Sequence, residues 1–132
     1  MSQENIELVR RSFEAYFGPD PDAALDFFDP QIEFDATDRP DGRIWHGQSG
    51  VRQAMAEWTG TWREWHAEVE RLIDLGDDRV LALWRESGIG KGSGIPMEQE
   101  GASLFTLRDG LIVRWVAYIG RDRAMRDAGL AD

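Results

Sequence analysis

Arg85 and Glu100 lie on two alternating stretches that a glycine-rich turn, Lys91-Gly92-Ser93-Gly94, folds back on each other. If Gly92-Ser93 centres that turn, the two side chains stand opposite one another on one sheet face. Among Leu81, Leu104 and Trp115 such charges must pair, because either alone is costly to bury. The chemistry on offer is a guanidinium that binds a carbonyl or carboxylate, and a glutamate poised as base. The plain alternative is an ion pair at a cavity mouth with no part in a reaction. Asp35 is a second candidate base, and that role needs a desolvated carboxyl. Its alternation with Phe34 sets a condition: if Phe34 points inward, Asp35 points out. His46, between Trp45 and Gly47, could act as acid or base at an opening, with Tyr118 as a further donor. His66, flanked by Glu64 and Glu68, reads as a surface residue.

Six tryptophans occur, and Trp58, Trp62, Trp84 and Trp115 fall where cores or cavities form. Each can bury up to ~250 Å². Phe34, Trp58, Trp62, Leu104, Trp115 and Tyr118 are the expected lining of a pocket for a small apolar or aromatic molecule. The same aromatics serve equally as core filler and dimer contact. Trp84 opposite Gly101 reads as an aromatic ring covering a strand glycine. The Lys91–Gly94 segment lacks the strand-loop-helix setting of a phosphate loop and reads as a hairpin turn.

Composition narrows the classes. The chain has no cysteine, which excludes disulfides, thiolate nucleophiles and Cys-based metal sites. His46 and His66 are its two histidines and lack HExxH-like spacing, so no metal and no cofactor is expected. A formal charge of -10 repels phosphate backbones and anionic lipid, which argues against nucleic acid and membrane as partners. The opening segment MSQENIELVRRSFEAYF is amphipathic without a signal-like apolar run, so the cytoplasm is the expected location. At 132 residues, one domain spanning 1–132 is expected.

The elements that must hold these residues follow from period and punctuation. Ile6, Val9, Phe13 and Phe17, widened by Leu8 and Tyr16, give a first helix that Gly18-Pro19 stops. A short second helix carries Ala24, Leu25, Phe27 and Phe28. Gln31 to Ala36 alternates as a strand, Asp38 to Gly42 is a turn-rich loop, and Arg43 to His46 is a second short strand. Val51, Met55, Trp58 and Trp62 space a third helix. The period then falls to two, giving strands over 65–75, 79–90, 95–108 and 111–119, and a short helix over 121–128 ends the chain.

An Asp109-Gly110 two-residue loop sets Arg108 opposite Leu111, Leu104 opposite Trp115 and Ala102 opposite Ala117. One face then carries Leu81, Arg85, Glu100, Leu104 and Trp115, and is taken as the pocket side. The other carries Val80, Trp84, Ser103, Phe105 and Val116. Both are too apolar for an antiparallel sheet with one wet face. The expectation is that helices cover one face and a second copy of the chain covers the outer one, through Trp84, Phe105 and Val116.

The order helix, helix, strand, helix, four-strand meander, with the segments FFDPQIEF (27–34), WHGQSGVRQAMAEW (45–58), IDLGDDRVLALWRESGIGKGSG (73–94) and TLRDGLIVRWVAYIGRDRAMRDAGL (106–130), resembles the SnoaL-like branch of the nuclear transport factor 2-like superfamily. The resemblance implies an α+β, cone-shaped fold: N-terminal helices packed on a curved antiparallel sheet enclosing a pocket. It also implies a small-molecule pocket protein, which includes cofactor-free isomerases, cyclases and hydratases working by proton transfer, as well as non-catalytic binding or accessory modules. The resemblance sets the ketosteroid isomerases' oxyanion-holding acid at Ala102, their oxyanion tyrosine near Phe13, and their base at Phe34 or Asp35. The Tyr-x-Asp that ends many SnoaL-like last strands here reads Tyr118-Ile119-Gly120, without the carboxylate.

Overall fold

The apolar stripe of the opening segment forms α1, Ser2–Tyr16. Gly18 and Pro19 end it, and a 3-10 helix, Pro21–Phe27, turns the chain into β1, Phe28–Asp35. After β2, Ile44–His46, comes α2, Gly47–Gly60. β3 (Trp62–Gly76), β4 (Arg79–Gly90), β5 (Pro96–Arg108) and β6 (Leu111–Tyr118) follow, then α3, Arg121–Asp127. This computed structural model describes residues 2–40 and 42–130; Asp41, within the loop expected over 38–42, lies outside them. Among the described residues no helix is long and apolar enough to cross a membrane.

The strands form one six-stranded sheet in the order β2-β1-β6-β5-β4-β3. The four long strands pair antiparallel in sequence, as the turn chemistry predicts, and β1 joins β6 in parallel. Asp109 and Gly110 both adopt positive φ, the geometry of a tight primed hairpin. Arg85 stands opposite Glu100 and Trp84 opposite Gly101, as expected.

Two departures matter for the site. Trp62 opens β3 instead of closing α2, so the third helix ends before the position its spacing predicts. More important, the β5–β6 register shifts by one residue beyond Leu107–Ile112, where Val113 is extra. A bulge of one residue moves every later side chain to the other face. Trp115 therefore faces Phe105, and Val116 faces Leu104, correcting the expected Leu104–Trp115 pair.

The face under α1 and α2 carries Val80, Ala82, Trp84, Phe105 and Trp115, packed with Val9, Phe13, Val51 and Met55. Phe34, fully buried, stacks on Trp115 at 3.9 Å between ring centroids. The outer face carries a second apolar cluster, Leu81, Ala102, Leu104, Val116 and Tyr118, closed over by Ala124 and Ala128 at and just beyond α3. The outer dimer face expected from Trp84, Phe105 and Val116 does not exist as a surface. Its first two members lie beneath the helices, the third points the opposite way, and α3 covers much of the apolar area that called for a partner.

Candidate functional site

The assignment of Arg85 and Glu100 to the pocket is corrected by the sheet. They do lie within ion-pair reach, at 3.6 Å, but on the face turned away from α1 and α2. Arg85 also meets Glu70 at 3.5 Å and Glu98 at 3.7 Å, while Arg121 of α3 reaches Glu100 at 2.9 Å and pairs with Glu70. The side chains of Arg85 and Glu100 are 40% and 49% exposed, which makes this a solvated network. Exposed pairs are worth at most about 1 kcal/mol. Glu100→Ala should therefore lower the melting temperature by no more than about 3 °C, because Glu70 still holds both arginines. A larger loss in a calorimetric melt would show that the network bears more of the fold than its exposure implies.

The other expected residues divide between the two faces. Asp35 points outward from Phe34, as the alternation requires. Burial pushes its carboxyl up, but hydrogen bonds from the Thr37 hydroxyl (2.6 Å) and backbone N–H (3.0 Å), with Arg114 at 3.7 Å, outweigh that and hold it below its ordinary value. Such a carboxylate is a weak base at neutral pH. His46 is exposed where β2 runs into α2 and lines none of the cavities described below. Leu104 belongs to the outer cluster. So does Tyr118, whose hydroxyl donates to Asp127 at 2.6 Å. Trp62 packs edge-on to Trp58, with its indole N–H buried and unpartnered. Phe34 is core. Trp58 and Trp115 alone of the expected lining reach the helix-side cavity.

That cavity is built by other residues. Phe13 and Tyr16 of α1 and Phe17 just beyond its end reach it, at the i, i+3, i+4 spacing of neighbours on a helix. Arg39 enters from the loop after β1 and Trp58 from the end of α2. The sheet supplies Trp65, Trp84, Glu86, Ser103 and Trp115. The cavity is a narrow slot of about 20 Å³. That holds about one water.

Its polar groups are wired through indoles. Glu86, only 3% exposed, accepts the Trp58 and Trp65 indole N–H groups on Oε1, each at 2.8 Å, and the Gln99 amide on Oε2. A buried carboxylate is tolerated when it is so bonded. Ser103 Oγ accepts Trp84 Nε1 at 3.1 Å and Trp115 Nε1 at 3.0 Å. Both lone pairs are then used, so the Ser103 proton must point elsewhere. Neither this O–H nor that of Tyr16 has an acceptor among the described residues.

Burial pushes the Tyr16 phenol well above its ordinary value. Arg39 opposes the shift and Glu86 adds to it. Tyr16 is thus a neutral O–H donor throughout the pH range of ordinary work. Burial lowers Arg39, against the pull of Tyr16 and Glu86. The Arg39 guanidinium lies 4.0 Å from the Trp58 ring centroid and 5.7 Å from that of Phe34, and its Nε is buried without a partner.

Glu86 had a signal in the sequence: it extends the Val80, Ala82, Trp84 alternation by one step and so places an acid on a buried face. Tyr16 sat in plain view within the α1 stripe but read as core. Arg39 lies in a loop without periodicity, and nothing in its spacing points inward. Among the described residues no group of three or more His, Asp or Glu is placed to hold a metal ion.

The chain belongs to the SnoaL-like domain family, whose model matches residues 9–115. No curated protein matches it. Solved structures share its fold at low identity. TerC co-crystallised with polyporic acid is 18% identical, with a TM-score of 0.77 over 96% of this chain and 98% of that one. Bal32a, from a soil-derived mobile gene cassette, is 17% identical, with a TM-score of 0.79 over 89% of each. A protein with a ketosteroid isomerase-like fold from Catenulispora acidiphila, in complex with trimethylamine, is 20% identical, with a TM-score of 0.75 over 94% of this chain and 93% of that one. The fold is thus that of the nuclear transport factor 2-like proteins, α+β with helices on a curved sheet, as the sequence resemblance implies.

Proposed function

We propose that the chain binds a small, flat, mostly apolar molecule in the helix-side slot and grips one of its oxygen atoms with the Tyr16 and Ser103 hydroxyls. The observation that carries this is the pair of O–H donors, each without an acceptor among the described residues, lining a cavity whose other walls are aromatic rings with Ala67, Arg39 and Glu86. A site with donors and no acceptors for them selects a ligand that supplies a lone pair. Small-molecule complexes of similar folds, with polyporic acid in TerC and trimethylamine in the Catenulispora protein, agree with a ligand-sized pocket in this family. Admitting a ligand larger than one water requires the walls of the slot to move apart.

Benzamide is a suitable neutral probe, and the indole N–H signals of Trp58, Trp65, Trp84 and Trp115 report on the slot by NMR. Benzamide should shift those signals. Tyr16→Phe combined with Ser103→Ala should weaken binding about tenfold, the equivalent of one or two hydrogen bonds. Unchanged affinity in the double variant would remove the donors from the account.

One further observation favours proton transfer at the same place. A carboxylate offers about four acceptor positions, three donors reach Glu86, and Glu86 lines the same slot as Tyr16. In this second reading Glu86 takes a proton from the carbon next to a bound carbonyl, and Tyr16 O–H stabilises the oxygen where the negative charge collects. Acetophenone incubated with the protein in D₂O would gain deuterium in its methyl group, and Glu86→Gln would abolish the gain. Binding without exchange would leave the protein a binding module.

A further inference from the structure

Outside the slot, an open groove of about 410 Å³ runs along the loop after β1 and the end of α2, and it shares Arg39 and Trp58 with the slot. We infer that this junction is an anion anchor, so that the molecule bound in the slot is an aromatic or alicyclic carboxylate whose ring lies inside and whose carboxylate is held at the mouth by Arg39 and Arg43. The inference rests on the slot reading above and names the substrate class for it.

Two arginines line the groove, and each sets its guanidinium carbon over a tryptophan ring: Arg39 at 4.0 Å from the Trp58 centroid and Arg43 at 3.8 Å from that of Trp45. A guanidinium over a ring is held by its cation–π attraction and still has N–H groups that can donate to a carboxylate. Neither arginine has a carboxylate within ion-pair reach among the described residues. Arg63, Arg71, Arg79, Arg108 and Arg126 share that lack, so what sets Arg39 and Arg43 apart among the described residues is a guanidinium over a tryptophan ring beside a cavity. The one acid among the described residues of the groove, Glu57, is exposed and takes the Gln53 amide at 3.1 Å. Arg39 is also largely withdrawn from water, with Nε buried and unpartnered, so part of the desolvation that anion binding requires is already complete. Rings fill the interior and cations rim the exit, which matches a ligand that is apolar at one end and anionic at the other.

Benzoate and benzamide have nearly the same shape and differ in charge, so their comparison isolates the anchor. Titrated into the intact protein with the four slot indole signals as readout, benzoate should bind about tenfold tighter than benzamide at low salt. That preference should shrink as salt is raised, while benzamide binding holds. Arg39→Gln should erase the preference, and Arg43→Gln, on the exposed side of the loop, should reduce it about threefold without altering the fold. Equal binding of the two probes, or a preference that survives both substitutions, overturns the anion anchor and leaves the slot reading standing. If neither probe moves the indole signals, the anchor and the slot reading fall together.

Discussion

Replacing Glu86 by leucine is expected to destabilise the protein by about 3 kcal/mol and to lower its melting temperature by about 10 °C. Leucine fills much of the same space but accepts no hydrogen bond. It strands the indole N–H groups of Trp58 and Trp65 and the Gln99 amide, which now converge on the carboxylate. Stranded donors cost about 1–3 kcal/mol each when buried. The sum stays below three full penalties for two reasons. Trp58, Trp65 and Gln99 are only half-buried and can reach water, and removing the carboxylate also removes its own desolvation cost. Glu86→Gln should be milder, at about 1 kcal/mol, because an amide keeps one acceptor oxygen for the indoles and Gln99 can turn its own amide to present its oxygen. The order matters more than the sizes: wild type above Glu86→Gln above Glu86→Leu in a chemical denaturation series. If leucine matched glutamine, the three donors would have found other partners, and the wiring described for the slot would be wrong.

That slot was only partly legible in the sequence, for physical reasons. Turn chemistry gave the hairpins, and with them the pairing of β3 through β6 and the Arg85–Glu100 register. Which face lies inside was not legible. Period two separates a wet face from a dry one, but here Leu81, Ala102 and Leu104 are buried under α3 while Val80, Ala82 and Trp84 are buried under α1 and α2. With both faces apolar, the alternation carries no sign. The Val113 bulge then exchanged the faces of the last strand, and a bulge at an ordinary valine leaves no mark in composition. The expected site followed both errors. Arg85, Glu100, Leu104 and Tyr118 went to the outer side, whereas Trp58 and Trp115, whose size alone recommended them, lie where a cavity forms. The covering of Gly101 by Trp84 was legible because a large ring opposite a glycine is a local fact of register, independent of which face is which.

Gly101→Ala should test that contact with the second large effect. A methyl at Gly101 would stand 2.3 Å from Trp84 Cη2, 2.4 Å from Cζ2 and 2.6 Å from the Tyr118 carbonyl oxygen. Such distances cannot be absorbed in place. The indole cannot swing aside freely, since Ser103 holds its N–H and the ring is 6% exposed in the core. The strand cannot back away either, because Arg121 of α3 donates to the carbonyl oxygens of both Gly101 (3.1 Å) and Trp84 (2.9 Å) and clamps the pair from the outer face. Overpacking of this kind costs about 3 kcal/mol, at the upper end of the usual range. A second change separates steric conflict from a general dislike of alanine in a strand. Trp84→Phe removes the six-membered part of the indole, including Cζ2 and Cη2, at the cost of a void and a lost hydrogen bond to Ser103. In wild type it should destabilise. In the Gly101→Ala background it should restore stability, giving a coupling energy of about 2 kcal/mol in a double-mutant cycle. Additive effects would mean that the ring and the glycine do not touch as described. A restored melt with altered indole signals for Trp65 and Trp115 would show instead that the Trp84 ring sets the width of the slot.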